Sequence, residues 1–366
     1  MKVCVITCYE SNEERMGFVL DACTKKGYEV IGFTSNFSHI RKEKRNKVPE
    51  KYKTVNTRPY QKNLSLGRIL SHIRFSKDVF ACVEKEKPDL IWLMAPANSL
   101  IAQAKKYKKK HPNTKLIIDI IDMWPESLPI KVNKNGFPFS IWKNIRTKNI
   151  DCCDALVTEC SFYHEILKNE YPGQITTIYW ARDEHERIIN SNLSDEPFSL
   201  CYIGSINNLI DIDRFVEIVK GINVPIVFHV IGEGENTSLL LEELGKQCDV
   251  IYHGAIRDPK EKADIFSKCH AGVNVYKEGL YIGLTVKCID YFEHGLPIIN
   301  NIKGDTWRFV EEEDVGINYD GSHSIDVAKL LNLRMNNGHI LKLFHNNFTK
   351  DVFIKKCIEV MDGVMK

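Results

Sequence analysis

Short apolar runs recur along the whole chain with helical stretches between them, and this alternation constrains the fold more than any other feature. The runs of the first half are KVCVIT, YEVIGF, DLIWLM, KLIIDII, DALVTE and QITTIYW, and those of the second half are FSLCYIG, PIVFHVIG, DVIYHG, AGVNVY and LPIINN. Apolar runs of this length predict buried strands of a parallel sheet, with the intervening helices as crossover connections. Two successive series therefore predict an α/β protein with two doubly wound, Rossmann-like domains.

The length of the chain agrees with two domains, because 366 residues are more than one hydrophobic core usually serves. We predict a first domain over residues 1–182 and a second over residues 199–348. The polar, irregular stretch 183–198 is the predicted linker. Residues 349–366 predict an amphipathic helix, for which packing back onto the first domain is one arrangement.

The charge of the chain is unevenly distributed. Residues 1–180 carry 30 Lys and Arg against 19 Asp and Glu, whereas the remainder carries 20 against 29. The first domain is therefore expected to meet an anion. Its basic runs, residues 41–53 and 105–110, are equally typical of a solvated loop and a solvated helix end. Nucleic acid is not expected, because no recognition motif accompanies these runs, and phosphate-bearing lipid on the inner membrane surface is the favoured anion.

The compartment follows from two patterns. No apolar run approaches the ~18–20 residues of a membrane span, and the segment MKVCVITCYE does not have the architecture of a signal peptide. The 12 cysteines include no C-x-x-C pair, which indicates reduced buried thiols and neither a zinc site nor a disulfide framework. We expect a cytoplasmic protein.

The segment GLTVKCIDYFEHGLP, residues 283–297, predicts a helix placed for ligand binding. Thr285 is the predicted N-cap, residues 286–294 form the helix, and Gly295 is the left-handed residue that ends it. Such a helix begins at the carboxyl edge of a parallel sheet, where its exposed amides favour phosphate. Lys287 and Asp290 share one face of this helix. A cation beside the phosphate and a carboxylate that accepts hydrogen bonds from sugar hydroxyls would together suit a nucleotide-sugar. An ordinary surface Lys/Asp pair is the alternative.

Cofactor and metal motifs are weak in this sequence. Neither half has G-x-G-x-x-G after its first strand, so nicotinamide or flavin binding is not expected. Gly232-Glu-Gly234 follows a strand, but a tight strand-to-helix turn explains it equally well. Asp211-Ile-Asp213 opens a predicted helix, where aspartate is favoured as a cap and by the helix dipole. We expect no cofactor and no metal.

Ordered segments of both halves resemble a known family. YIGSINNLIDIDRFVEIV, HVIGEGE, IYHGAIRDPKEKADIFSKCHAGVNVY and GLTVKCIDYFEHGLPIIN resemble the donor domain of GT-B glycosyltransferases, particularly glycosyltransferase family 4 and its relatives in bacterial surface polysaccharide assembly. KLIIDIIDMWPESLP is similar to the Asp-x-Trp-Pro-Glu-Ser segment of bacterial sugar transferases in that family. The resemblance implies two Rossmann-like domains facing across a cleft. It also implies a metal-independent enzyme that moves a sugar, with retention of configuration, from a nucleotide donor such as a UDP-sugar to a glycan, alone or lipid-diphosphate-linked.

The resemblance also implies roles for individual residues. The base would lie against the loop at Arg257, and the ribose hydroxyls would bind Asp290. The amides of Leu284 and Thr285, with the Lys287 cation, would hold phosphate. The full set of implied donor contacts is Gly204, Ser205, Gly232, Arg257, Leu284, Thr285, Lys287 and Asp290.

Two departures from the family pattern concern charged groups. The family pairs two glutamates eight residues apart, but Ile282 stands eight residues before Asp290. Glu278 is the nearest upstream carboxylate and would be the displaced equivalent that contacts the donor sugar. The cations that often follow the first donor-domain strand are not matched after Gly204, so Lys287, Arg257 and Arg214 would neutralise the leaving diphosphate.

The acceptor side is expected at the carboxyl edge of the first sheet. Asp122 ends the run KLIIDII and is the second catalytic candidate beside Glu278, either orienting the acceptor or stabilising positive charge on the sugar. A cap on the following turn is its alternative role. Further acceptor contacts are expected from Glu126, Tyr9 and Glu10.

Two other functions remain open on sequence grounds. The departures described above also suit a catalytically silent GT-B module that binds a nucleotide-sugar or a partner transferase. A nucleotide-sugar 2-epimerase with the same fold is the other possibility. The identity of the sugar depends on a few contacts that the pattern of residues does not resolve.

Overall fold

The computed structural model describes residues 1–63, 65–128, 134, 136–183, 185, 188, 193–322 and 324–366. The chain forms two compact units, one of Met1–Tyr179 with Asp351–Lys366 and the other of Trp180–Lys350. The predicted linker, 183–198, lies in part outside the described residues. In the described part of the chain, no helix has the length and apolar character needed to cross a membrane.

The first unit is built on one parallel sheet. Its strands are β1 (Lys2–Ile6), β2 (Glu29–Ser35), β3 (Phe37–Ser38), β4 (Glu43–Lys44), β5 (Tyr52–Val55), β6 (Leu90–Ala95), β7 (Lys115–Ile120), β8 (Ala155–Thr158) and β9 (Ile175–Thr177). Seven of them form the sheet in the order β5-β2-β1-β6-β7-β8-β9, and β3 and β4 form a small antiparallel pair. The chain winds outward from β1 to β5 and then returns to β6 on the other side of β1.

Helices connect these strands and pack on the sheet. They are α1 (Glu13–Lys25), α2 (Leu66–Glu86), α3 (Asn98–Lys110), α4 (Phe139–Thr147) and the short α5 (His164–Leu167). A buried ion pair fixes α1 to the sheet, because Arg15 donates to both carboxylate oxygens of Asp119 in β7 at 2.9 Å, and neither side chain is exposed. Asp119 is thus a buried, paired carboxylate within its strand.

The second unit has a six-stranded parallel sheet. Its strands are β10 (Phe198–Ile203), β11 (Ile226–Ile231), β12 (Asp249–Gly254), β13 (Ala271–Asn274), β14 (Ile298–Asn300) and β15 (Gly316–Asn318), in the order β12-β11-β10-β13-β14-β15. Its helices are α6 (Ile212–Lys220), α7 (Thr237–Gly245), α8 (Pro259–Ser267), α9 (Val286–Glu293), α10 (Asp305–Glu313), α11 (Val327–Met335) and α12 (Gly338–Asn347). A fully buried cluster that includes Phe198, Phe215 and Phe228 packs against this sheet.

The last helix, α13 (Lys350–Met365), packs with the first unit. The Phe353 ring lies 5.5 Å from that of Phe18, and Lys26 forms an ion pair with Asp362 at 2.7 Å. Both contacts join α13 to α1 or to the turn that follows it.

Both sheets reverse their winding direction once, between β1 and β6 in the first unit and between β10 and β13 in the second. Open α/β sheets bind ligands outside the carboxyl ends of their strands at such a point. The two reversals therefore indicate where each unit presents a site.

Candidate functional site

The reversal of the second sheet is marked by two glycines that bring adjacent loops into contact. Gly204 follows β10 with φ +128°, and Gly232 follows β11 with φ +138°. A Cβ at Gly232 would lie 1.9 Å from the carbonyl oxygen of Gly204. Only glycine satisfies both the backbone angle and the space. The G-x-G pattern thus serves a close loop contact at the carboxyl edge.

Lys287 lies directly behind the first of these loops. Its side chain is buried, with Nζ 4.1 Å from the centre of the Tyr202 ring and 4.5 Å from that of Tyr276. A Cβ at Gly204 would approach the Lys287 Cε to 3.4 Å. Among the described residues, no group accepts a hydrogen bond from Nζ. Burial lowers the pKa of Lys287 to about 7, because no anion among the described residues stabilises its charged form.

The start of α9 differs from a simple capped helix. Thr285 occupies the N-cap position, but its hydroxyl donates to Oδ1 of Asn274 at 2.9 Å and makes no capping bond. Thr285 is therefore the N-cap residue that the sequence predicted, but its hydroxyl is turned toward the buried Asn274 side chain and does not cap a backbone amide. The helix ends at Glu293, one residue earlier than expected, and Gly295 has the predicted left-handed conformation with φ +63°.

Asp290 lies one turn along α9 from Lys287 and is 9% exposed. Its carboxylate accepts from the Nε of Arg182 at 2.8 Å. No local pattern predicts this ion pair, because Arg182 lies 108 residues away in a stretch with no motif. Any ribose that Asp290 holds would share the carboxylate with Arg182.

A cavity of about 270 Å³ opens in the second unit between α6 and the loops that follow β13, β14 and β15. It is lined by Arg214, Tyr276, Lys277, Glu278, Gly279, Leu280, Ile282, Asn301, Ile302, Lys303, Tyr319 and Asp320. Glu278 is exposed, with its carboxylate 3.8 Å from Arg214, which pairs more closely with Glu217 at 2.8 Å. The cavity therefore brings together Glu278, Ile282 and Arg214, the residues at which the sequence departs from the family pattern.

The remaining donor candidates follow the same edge. Arg257 is exposed in the loop after β12, Ser205 is exposed after β10, and Leu284 is half-buried just before α9. The Ser205 carbonyl accepts from the Tyr202 hydroxyl at 2.8 Å. Because the strands are parallel, the loops after β12, β11, β10 and β13 lie in that order along one edge of the sheet.

Asp211 caps α6, as the sequence predicted. Its side chain accepts from the backbone N–H of Arg214 at 3.2 Å. Within the described part of the chain, no cluster of three or more His, Cys, Asp or Glu side chains is placed to hold a metal ion.

In the first unit, Asp122 follows β7 and is half-buried. Its carboxylate accepts from Nε1 of Trp124 at 2.6 Å and from the Ser127 hydroxyl. Burial raises the pKa of Asp122 although these two hydrogen bonds oppose the shift. The side chain thus holds the turn after β7 and has greater proton affinity than an exposed aspartate.

The other acceptor candidates have internal partners. Glu10 accepts from the Ser38 hydroxyl at 2.7 Å and from two backbone amides. Burial tends to raise the pKa of Glu10, but these donors lower it overall. Glu126 pairs with the buried guanidinium of Arg146 at 2.8 Å. Tyr9 is buried, and its hydroxyl bonds to Nε2 of His72 at 2.7 Å. Their role toward an acceptor stays a prediction.

Several solved structures match this chain over nearly its whole length. A sucrose-phosphate synthase from Thermosynechococcus elongatus matches with a TM-score of 0.75 at 13% identity, covering 100% of this chain and 99% of that one. The lipopolysaccharide outer core galactosyltransferase WaaB in its apo form matches with a TM-score of 0.68 at 15% identity, covering 100% and 99%. Anabaena HepE in complex with UDP matches with a TM-score of 0.69 at 10% identity, covering 99% and 100%.

The chain has the GT-B fold. This confirms the fold class and the structural resemblance that the sequence motifs indicated. No protein-family model matches the sequence, and no curated protein matches it either. At identities of 10–15%, these similarities establish the GT-B fold and leave the activity to be argued from the site.

Proposed function

We propose that this GT-B protein is a glycosyltransferase that binds a nucleotide-sugar, most simply a UDP-sugar, along the carboxyl edge of its second sheet. The observation that carries the proposal is the buried Lys287 ammonium behind Gly204, which has no hydrogen-bond acceptor among the described residues. Burying a cation without an anion is costly, and a diphosphate at this loop would supply the missing charge. The HepE structures that resemble this chain contain UDP and UDP-glucose.

The order of loops along the edge suggests how the donor lies. The base would rest on the loop after β12 at Arg257, and the diphosphate would meet Gly204, Lys287 and the first amides of α9. The sugar would then enter the cavity beside Tyr276, where Glu278 and Arg214 face it. Asp290 would hold the ribose in competition with Arg182.

The chemistry requires charge stabilisation at two places. Departure of the nucleoside diphosphate is favoured by Lys287, with Arg214 adding a second cation, so this mechanism does not require a metal ion. Glu278 would face the positive charge that develops on the sugar. Asp122 of the first unit, with its raised pKa, would orient the acceptor hydroxyl or accept its proton.

The acceptor we propose is a growing glycan of bacterial surface polysaccharide. We also propose that the transferred sugar keeps its anomeric configuration. The excess of Lys and Arg in residues 1–180 favours an acceptor that carries phosphate, such as a lipid-diphosphate-linked glycan, and contact with the inner face of the cytoplasmic membrane.

Thermal unfolding with a panel of nucleotides and nucleotide-sugars tests the donor site. A ligand that binds only the folded protein raises the melting temperature. UDP or one UDP-sugar should stabilise the native protein and the control Lys246→Met, which removes an exposed lysine of the same unit. The same ligand should not stabilise Lys287→Met relative to its own ligand-free form. Absence of stabilisation by every nucleotide would overturn the proposal.

A further inference from the structure

One buried arginine of the first unit has no carboxylate partner in the part of the chain that the structure describes. Arg68, in the first turn of α2, is 8% exposed. Its Nε is buried without a hydrogen-bond partner, and no carboxylate of the described residues lies within ion-pair distance of its guanidinium. The other buried arginines of this unit are paired, Arg15 with Asp119 and Arg146 with Glu126 and Glu170.

Neutral groups surround the Arg68 guanidinium. It donates to the Asn63 carbonyl and to the Tyr9 hydroxyl, both at 3.0 Å. Its Cζ lies 4.2 Å from the centre of the Trp124 ring. These contacts orient the guanidinium and do not neutralise it, and they leave donor capacity unused.

A second cation, the Lys42 ammonium, lies near the same aromatic ring as Arg68. Lys42 directs its ammonium to the His39 carbonyl and lies 4.7 Å from the centre of the Tyr60 ring, while the Cζ of Arg68 lies 6.0 Å from that ring. Among the described residues, Lys42 also lacks a carboxylate within ion-pair distance. Two cations from different segments therefore approach the Tyr60 ring.

The two histidines of this cluster add no negative charge. His39 and His72 are buried, and burial lowers the pKa of both, with Arg68 adding to the effect. The nearest acidic residues, Glu10 and Asp122, accept hydrogen bonds from other donors. These carboxylates act on Lys42 and Arg68 only from beyond ion-pair distance, so Arg68 has no carboxylate in direct contact among the described residues.

The position of the cluster is that of a ligand site. Tyr9 follows β1, and Trp124 follows β7, so the cluster lies at the carboxyl edge of the first sheet, next to the point where its winding reverses. Exposed apolar side chains accompany both cations along the chain, with Leu66 78% and Ile40 71% exposed.

We propose that Arg68 and Lys42 bind a phosphoryl group of the acceptor. The planar guanidinium matches two phosphate oxygens, and the ammonium adds a point charge. That the ligand is the acceptor rests on the proposed function, whereas the phosphate site itself does not. The phosphoryl group belongs either to a free phosphorylated glycan or to a lipid diphosphate.

Isothermal titration with inorganic pyrophosphate at low salt tests the site in the full chain. Lys287→Met serves as the background, so that pyrophosphate does not bind in the second unit. Adding Arg68→Met should weaken pyrophosphate binding about tenfold or more. Adding Arg74→Met, which removes an exposed arginine of the same helix that is paired with Asp78, should leave it unchanged. Equal affinity in all three proteins overturns the proposal.

A second variant guards against misfolding. If Arg68→Met does not unfold cooperatively, and is therefore misfolded, the pyrophosphate titration is repeated with Arg68→Lys. Lysine keeps the positive charge but loses the guanidinium geometry that matches two phosphate oxygens. Pyrophosphate binding should then weaken several-fold, and an unchanged affinity overturns the proposal.

Vesicles distinguish the two sources of phosphate. Phosphatidylcholine vesicles with and without a few per cent of polyprenyl diphosphate are sedimented with the native protein and with Arg68→Met or, where needed, Arg68→Lys. Arg68-dependent binding both to free pyrophosphate and to the polyprenyl vesicles assigns a lipid source, and Arg68-dependent binding to free pyrophosphate without binding to the vesicles assigns a soluble one. Arg68-dependent binding in neither arm overturns the proposal. UDP binding to the Arg68 variant reports the donor site separately, so failure of one proposal does not imply failure of the other.

Discussion

The Lys287 ammonium lies 4.1 Å from the centre of the Tyr202 ring, and a Cβ added to Gly204 would reach the same lysine stem at 3.4 Å. The lysine is thus held behind the first loop of the second sheet by aromatic faces, without an acidic partner among the described residues. Burying a charged group without an acceptor is unfavourable, and an anion bound as proposed would offset this cost.

Replacing Lys287 by methionine should make the ligand-free protein more stable. Methionine fills similar space and removes a buried donor without an acceptor, which costs ~1–3 kcal/mol. We expect the free energy of unfolding at pH 7 to rise by about that amount in chemical denaturation, together with loss of UDP binding. A destabilised Lys287→Met protein would show that the ammonium has an internal partner.

The stability of the native protein should depend on pH through Lys287. The folded pKa is about 7, and the ordinary value, 10.5, applies to the unfolded chain. Between these values the unfolded chain binds more protons, so the contribution of Lys287 makes the protein more stable as pH rises from 7 toward 10.5. The difference in unfolding free energy between the native protein and Lys287→Met should therefore shrink over this range. A constant difference would contradict the lowered pKa.

Nucleotide binding should take up a proton above pH 7. A diphosphate beside Lys287 raises the pKa of the ammonium, so binding must protonate the lysine whenever the free site is neutral. The affinity for UDP should fall by up to about tenfold per pH unit above pH 7. Titration calorimetry in buffers of different ionisation enthalpy measures the proton uptake, and Lys287→Arg, which stays charged, is the control. Proton release on binding would refute the assignment.

Gly232→Ala should disrupt the loop contact at the carboxyl edge. The new Cβ would meet the Gly204 carbonyl oxygen at 1.9 Å, and the backbone angle of φ +138° is strained for alanine. We expect a loss of ~1–3 kcal/mol or more in unfolding free energy, together with weaker UDP binding. Gly245→Ala is the matched control, because that glycine lies in α7 with nothing within 4 Å of a new Cβ. This control should stabilise by up to about 1 kcal/mol.

Asp290→Asn should separate ribose recognition from phosphate recognition. If Asp290 accepts from ribose hydroxyls, the amide weakens UDP binding about tenfold and leaves pyrophosphate binding to the second unit unchanged. Pyrophosphate is titrated in an Arg68→Met background for this comparison. Equal weakening of both ligands would assign Asp290 to positioning α9 through its ion pair with Arg182.

Local patterns determined the architecture of this protein. Alternating apolar runs predicted two parallel sheets, and the Asp211 cap and the left-handed Gly295 followed from local backbone chemistry. These features depend on residues close in sequence or on the burial that a strand imposes. Periodicity and capping record such constraints directly.

Only the tertiary structure decided which charged side chains form ion pairs and which do not. The pairing of Asp290 with Arg182 spans 108 residues, and the Arg68 cluster draws on segments that follow β1, β2 and β7. Strand order places these segments together, and burial then makes each unpaired cation costly. Neither effect leaves a mark on the local sequence, because Arg68 and Lys287 have the same neighbours in the chain whether or not an acidic group reaches them in space.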